Sequence, residues 1–292
     1  MKEILLIDED SKFGNLYLMQ LSAYHKEKGD KVFLNEWNNP DKVYISSLFK
    51  KNRAKALGRA KLFPKSKVEI GGTGINYSQG DLKIARLKPD YDLYPSKESL
   101  GRTTFGCIRN CPWCCVHEKE GAFQQWMKIE DFYDERFDTV HLLDNNILVG
   151  ESWFFETTDF ILEHSLKVKE EGMDIRLLDL KVADRLRELN FDGLLHFAWD
   201  QMRDEFAVLK GIQILKEVGF NTRKEISIYV LTNYNTTKEE DIYRCEVLRD
   251  LDVNPFIMVY EDNGKADKWH KKLARHVNRK AIFWSDTWKD NL

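Results

Sequence analysis

Apolar runs alternate with stretches of helical spacing along most of this chain, and that change of period limits the folds open to it. The run "EILLID" (3–8) is almost unbroken, the pattern of a strand covered on both faces. Helical spacing follows in Leu16, Met19 and Tyr24, and Gly29 supplies a stop. "KVFL" and "KVYISSL" read as further strands, residues 50–62 as a helix, and "KVEIGG" as a strand ending in two glycines. Alternation of this kind predicts a parallel sheet with helices on both faces, a Rossmann-like domain over residues 1–75.

Residues 76–98 read as a connector, with Gly80, Pro89, Pro95 and "KPDYDLYP". Beyond it the alternation resumes. Strands are expected at "RTTFG", "TVHLLD", "MDIRLL", "GLLHFAW", "EISIYVLT" and "NPFIMVY". Helices are expected over 127–135, 151–169, 180–189, 203–218 and 237–250. A closed eight-unit barrel takes about 250 residues, and 99–292 offers about 195. The expected fold class is therefore α/β: the Rossmann-like domain, then a partial (β/α)6 TIM-like barrel over 99–292 with a C-terminal helix. Chemistry in such barrels sits on loops at the C-terminal strand ends.

One such loop, "GCIRNCPWCCVHEKEG" (106–121), holds four of the five cysteines. The start, "MKEILLIDED", is too short in its apolar part for a secretory segment. No window approaches the ~18 to 20 apolar residues of a membrane span. A cytoplasmic location without membrane contact is expected, where thiols stay reduced and crowded cysteines serve metal or catalysis. Thiolates select zinc or iron–sulfur clusters. Structural zinc takes four ligands, usually as two separated pairs, and no second pair exists here. Three cysteines on one loop suit a cubane cluster with one iron left open. A zinc-stabilised nucleic-acid-binding protein without catalysis is the alternative these residues leave.

Cys107-x3-Cys111-x2-Cys114, with Trp113 before the last cysteine and a strand before the first, resembles the radical S-adenosylmethionine superfamily. The resemblance covers roughly residues 97–285. It implies that Cys107, Cys111 and Cys114 hold a 4Fe–4S cluster whose fourth iron binds S-adenosylmethionine. It further implies reductive cleavage to a 5′-deoxyadenosyl radical, which abstracts a substrate hydrogen, with an electron donor such as flavodoxin or ferredoxin. Cys115 is expected to be a buried thiol under the loop.

The same resemblance proposes cofactor contacts at Trp113, Asp144, Asn145, Arg176, Asp200, Thr232 and Asn233. Asp144 and Asn145 stand where many members bind the methionyl amine, and an Asx turn is the local alternative. Arg176 lies in an apolar run and requires an anion, either the cofactor carboxylate or a local one such as Asp174. Thr232 and Asn233 end a strand that family members set against the adenine. Thr236 or Thr237 can cap the helix beginning near Lys238.

The N-terminal domain resembles the cobalamin-binding domain attached to many of these enzymes. "SSL" (46–48) and Gly71-Gly72 match its motifs, but "DEDSKFG" lacks the cobalt-ligating histidine. A degenerate domain is expected and cobalamin is not. Since no cysteine precedes position 107, a second cluster of the kind methylthiotransferases need is excluded.

Net charge is −3, yet eight cations and no acid lie between Phe49 and Val68. That run reads as a solvated helix face or as a docking site for phosphate-rich partners. "DKWHKKLARHVNRKAIFW" reads as a second basic amphipathic helix, with Leu273 and Val277 on its apolar face, followed by a short strand. A nucleotide or nucleic acid thus stays open as substrate.

Overall fold

The computed structural model describes residues 1–11, 13–36, 39–261, 266–290 and 292. The chain packs as two compact units, Met1–Asn110 with Cys114–Leu143, and Cys111–Trp113 with Asp144–Leu292. Residues 76–98 lie in the first unit and are tied into it. The Tyr94 hydroxyl donates to Asp8 Oδ2 at 2.7 Å, and Gln20 Nε2 donates to the Ala85 carbonyl at 2.8 Å. Tyr91 bonds the Phe132 carbonyl at 2.7 Å and accepts from the Leu100 N–H at 3.0 Å.

The first unit opens with β1 (Glu3–Asp8), α1 (Leu16–Glu27), β2 (Lys31–Leu34), β3 (Lys42–Ser46), α2 (Arg53–Ala60) and β4 (Val68–Gly71). The four strands form a parallel sheet in the order β2-β1-β3-β4. Alternate residues of β1 feed opposite cores, as the period of two requires. Leu5 and Ile7 join Val43, Ile45, Ala56 and Phe63, whereas Ile4 and Leu6 join Leu18, Leu21 and Ile84. Asn15 caps α1 by accepting the Leu18 N–H at 3.2 Å.

Next come β5 (Ser99–Gly101), β6 (Thr104–Phe105), α3 (Val116–Glu120), β7 (Gln124–Gln125) and β8 (Thr139–Leu142). β5 pairs in parallel with β8, while β6 pairs antiparallel with β7. The expected strand "RTTFG" is thus displaced: 99–101 forms the parallel strand, and Thr104–Phe105 closes a small hairpin. The helix expected over 127–135 is a single 3₁₀ turn, Ile129–Asp131.

The second unit holds α4 (Glu151–Glu163), β9 (Lys167–Glu170), α5 (Leu180–Glu188), β10 (Asn190–Phe191), β11 (Leu195–Ala198), α6 (Glu205–Glu217) and α7 (Thr222–Glu225). It continues with β12 (Ile226–Thr232), α8 (Lys238–Asp250), β13 (Asn254–Val259), α9 (Lys268–Val277) and α10 (Lys280–Phe283). β11, β12 and β13 form a parallel sheet, and β9 runs parallel to β10. Leu195, Phe197, Ile226, Ile228, Val230 and Ile257 are buried on one face of the three-stranded sheet. His270, Leu273 and Val277 are the buried stripe of α9. Each fully buried aliphatic there contributes about 1.5–3 kcal/mol.

Three expectations fail here. The helix over 151–169 ends at Glu163, and residues 167–170 form a strand. "MDIRLL" is not a strand but a 3₁₀ turn, Ile175–Leu177, which Asp174 caps by accepting the Arg176 N–H. The short strand after α9 is the helix α10. The molecule is a mixed α/β protein with parallel sheets. Among the described residues, no helix is long and apolar enough to cross a membrane.

Candidate functional site

The cysteine loop is anchored at its base within the first unit. β6 and β7 pair Thr104 with Gln125 and Phe105 with Gln124. Gly106 turns the chain at φ +74°, and any Cβ there would collide with the Ala122 carbonyl. Its N–H donates to Glu120 Oε2 at 3.2 Å, and the buried Glu120 also binds Arg102 Nη1 at 2.9 Å. The Cys107 N–H donates to the Gly121 carbonyl at 3.3 Å.

All five cysteines are outside disulfides. Cys107 and Cys111 are partly exposed and Cys114 is exposed. The Cys107 sulfur accepts the Arg109 N–H at 3.3 Å, a bond of the kind that orients and tunes a ligating sulfur. Cys115 is partly exposed rather than buried, because it stands at the N-cap of α3, where its carbonyl accepts the Lys119 N–H at 2.8 Å. Cys245 lies fully buried in α8, and burial pushes its thiol up to about 12. It is a packing residue. Among the described residues, no three His, Cys, Asp or Glu side chains form a group that could hold a metal ion. By donor chemistry, three soft thiols within eight positions suit an iron–sulfur cluster.

The middle of the loop, Cys111–Trp113, packs with the second unit. There Trp113 meets two of the expected strand ends. Its side chain hydrogen-bonds the Asp200 carboxylate just beyond β11. Its ring packs edge-on against Tyr234, just beyond β12, at 5.3 Å between centroids, and Tyr234 packs against Tyr260 at 4.8 Å. Burial holds Asp200 above the usual carboxylate range, against the opposing pull of Arg176, Arg244 and Trp113. Thr232 is fully buried, and its Oγ1 has no hydrogen-bond partner. Asn233 takes φ +64° and donates through Nδ2 to the Tyr260 carbonyl at 2.8 Å. Trp113, Asp200, Thr232 and Asn233 thus share one end of the β11–β12–β13 sheet, the end where open parallel sheets take ligands.

Arg176 takes the local one of its two expected anions. Its Nε and Nη2 grip Asp174 at 2.7 and 3.1 Å, and its Nη1 reaches Asp204 at 3.2 Å. Burial alone would lower this guanidinium, but the two carboxylates overcome it and hold the group above its ordinary value. The local carboxylate is the anion that Arg176 requires. Asp144 is buried and Asn145 half-buried after β8. The Asx turn falls on Asn146, whose Oδ1 accepts the Leu148 and Asp174 N–H groups at 3.2 Å each.

Sequence reasoning missed the support beneath the strand ends. Arg244 of α8 is fully buried. Its Nη1 donates to the Trp199 and Asp200 carbonyls at 2.8 and 3.1 Å, and its Nη2 to the Leu231 carbonyl and Asp241 at 2.7 and 2.6 Å. His270 of α9 adds its Nε2 to Asp241 Oδ2 at 3.2 Å. The i, i+3 spacing of Asp241 and Arg244 was a visible signal, but a pair of that kind commonly lies on a solvated face.

In the first unit, the motifs likened to a cobalamin domain bond one another. Asp10 accepts the Leu48 and Phe49 N–H groups at 2.7 and 3.1 Å, the Ser47 hydroxyl at 2.9 Å and Asn52 Nδ2 at 3.0 Å. Gly72, at φ +97°, leaves no room for a Cβ beside the Ser47 carbonyl. The Glu9 side chain is buried, with both oxygens outside any hydrogen-bond geometry, and it draws Lys55 Nζ to 2.9 Å and Arg59 Nε to 2.6 Å. Two cations of the basic run are therefore spent internally. Lys12, within "DEDSKFG", lies outside the described residues.

No protein-family model matches this chain, and no curated protein matches it.

Proposed function

We propose that the chain is a radical S-adenosylmethionine enzyme with a single 4Fe–4S cluster. The observation that carries this reading is the donor set: Cys107, Cys111 and Cys114, three thiols outside any disulfide on one glycine-anchored loop. Trp113, from the middle of that loop, adds its bonds at the ends of β11 and β12. The reading carries with it a partial TIM-like (β/α)6 barrel for 99–292. Ahead of it stands a degenerate, Rossmann-like, cobalamin-binding-like domain.

Cys107, Cys111 and Cys114 would hold the cluster, which when bound would supply one-electron reduction chemistry to S-adenosylmethionine. The protein's own residues position and exclude. Gly106 and the β6–β7 pair fix where the loop begins. Trp113, Tyr234 and Tyr260, packed edge-to-face, give an aromatic cluster against which a purine can lie and displace water. The buried Thr232 Oγ1 lacks a partner, and a ligand hydroxyl or ring nitrogen would satisfy it. Asp200 offers a carboxyl to a ribose hydroxyl, and Asp144 and Asn145 offer oxygens to an amine. Arg176 acts only by positioning the Asp174 segment. A flavodoxin- or ferredoxin-like donor would deliver the electron, and a nucleotide or nucleic acid is one substrate class.

Anaerobic purification with iron and sulfide analysis tests this directly, followed by dithionite, S-adenosylmethionine and an assay for 5′-deoxyadenosine. The expected result is about four irons per chain and deoxyadenosine formation abolished in Cys111→Ala. Zinc without iron, and no cleavage, overturns the enzyme reading in favour of a zinc-stabilised binding protein.

A further inference from the structure

The β11–β12–β13 sheet has a second face that the reading above does not use. Register places His196 beside Ser227 and Ala198 beside Tyr229, with Tyr229 beside Phe256 and Leu231 beside Met258. Strand alternation puts His196, Tyr229, Phe256 and Met258 on the face opposite the helix-covered core. Phe256 is 39% and Met258 47% exposed, an unusual degree for large apolar side chains in the middle of a parallel strand. His196 stacks on Tyr229, with centroids 5.0 Å apart and planes within 7°, and Phe256 meets Tyr229 edge-on at 5.7 Å.

Glu170, at the end of β9, brings a charge to this face. Its side chain is 2% exposed. Oε1 accepts the His196 N–H at 2.8 Å, but the buried Oε2 has no hydrogen-bond partner. His196 Nδ1 is 3.6 Å from Oε1, within ion-pair reach but too far for a hydrogen bond, and is buried without a hydrogen-bond partner. Tyr229 feels the same field: burial, then Glu170 and Glu171, push its hydroxyl up to about 12. A buried carboxylate oxygen calls for a donor, and the part-exposed aromatic cluster beside it, with Phe256 outermost, favours a positive one.

We propose that this face binds an organic cation, the amine or alkylammonium group of the substrate, held by Glu170 and packed over the rings of Tyr229, His196 and Phe256. The binding site stands on the geometry of the second unit alone. That the cation belongs to the substrate rests on the enzyme reading above.

The test is calorimetric titration of the full chain with choline and methylammonium, and with 3,3-dimethylbutan-1-ol as the uncharged isostere of choline. It needs neither cluster nor turnover, so this proposal and the radical-enzyme reading fail separately. Choline should bind about tenfold more tightly than the isostere. Glu170→Gln should erase that preference without lowering the thermal midpoint. Phe256→Ala, at an exposed position, should weaken choline about threefold and carries the test if Glu170→Gln does not fold. No measurable binding of either cation, or equal binding of choline and its isostere, overturns the proposal. Displacement of choline by S-adenosylmethionine but not by S-adenosylhomocysteine would assign the face to the cofactor's sulfonium and overturn the substrate assignment.

Discussion

Arg244 binds four acceptors with no exposed surface, and three of them are backbone carbonyls of the strand ends that carry the candidate site. Replacing it by Met keeps much of its volume but removes the donors of those carbonyls and leaves the buried Asp241 with Thr236 and His270 alone. The expected cost is about 3–5 kcal/mol, read as a lower urea midpoint at unchanged slope. Two carboxylates should show opposite pH signatures. For Asp10, burial pulls upward, but the Leu48, Asn52, Phe49 and Ser47 donors overcome it and hold the group below its ordinary range. Its contribution is present above the ordinary carboxylate pKa and is lost as pH falls through the depressed value. Asp10→Asn should therefore flatten the decline in stability below about pH 4. Asp200 is held above its range by burial, so ionising it costs the folded state. Its contribution is present below the ordinary pKa and is lost as pH rises through the raised one. The stability of the wild type relative to Asp200→Asn should fall from about pH 4 upward. Urea titrations across pH check both. At this scale the thiol set was legible because its spacing is local. The partners of Glu9 and Arg244 were not, since a burial-driven ion pair forms between positions brought together only by packing.

At the scale of elements, the alternation in residues 1–75 was legible because β1 is nearly pure in aliphatics and each helix has its own stop. "LKVKE" was misread because Lys167 and Lys169 disguise a strand whose other positions, Leu166, Val168 and Glu170, are buried. The stop signal was Ser165, which leaves the helix at φ +51°, a conformation that a serine does not advertise. "MDIRLL" has the composition of a strand, but Asp174 accepts two bonds from Arg176 and one from its N–H, which curls the segment into a turn. Capping was a dependable local signal: Thr237, one of the two threonines expected to cap α8, does so in a reciprocal box with Glu240. Thr237→Ala should cost about 1 kcal/mol, measurable as a thermal shift. Gly106 is the corresponding control on the cysteine loop. Gly106→Ala demands both a left-handed alanine and movement of the Ala122 carbonyl. A loss of about 1–3 kcal/mol is expected, with reduced iron loading on anaerobic reconstitution.

At the scale of the molecule, the basic run decides how far a polyanion can be a partner. Lys55 and Arg59 neutralise Glu9, and Lys67 donates to the Pro40 carbonyl at 2.9 Å. Lys50, Lys51, Arg53, Lys61 and Lys65 remain exposed, interspersed with exposed Leu48, Phe49, Leu57 and Leu62. Five cations on a surface of net charge −3 attract a phosphate backbone only weakly and without reading its sequence. If each neutralises one phosphate of a single strand, binding falls with roughly the 3.5 power of salt concentration, about 130-fold between 50 and 200 mM. Single-stranded RNA should therefore bind at low salt and be lost near physiological salt. Lys51→Glu with Arg53→Glu should lower both the affinity and the slope. A slope that survives this double substitution would move the contact away from the basic run, to α9 with its Lys271, Lys272 and Arg275. Tight binding that persists at 200 mM salt would mean that bases, not phosphates, supply the affinity. Only then would a nucleic-acid substrate outrank the small organic cation that Glu170 and the aromatic face favour.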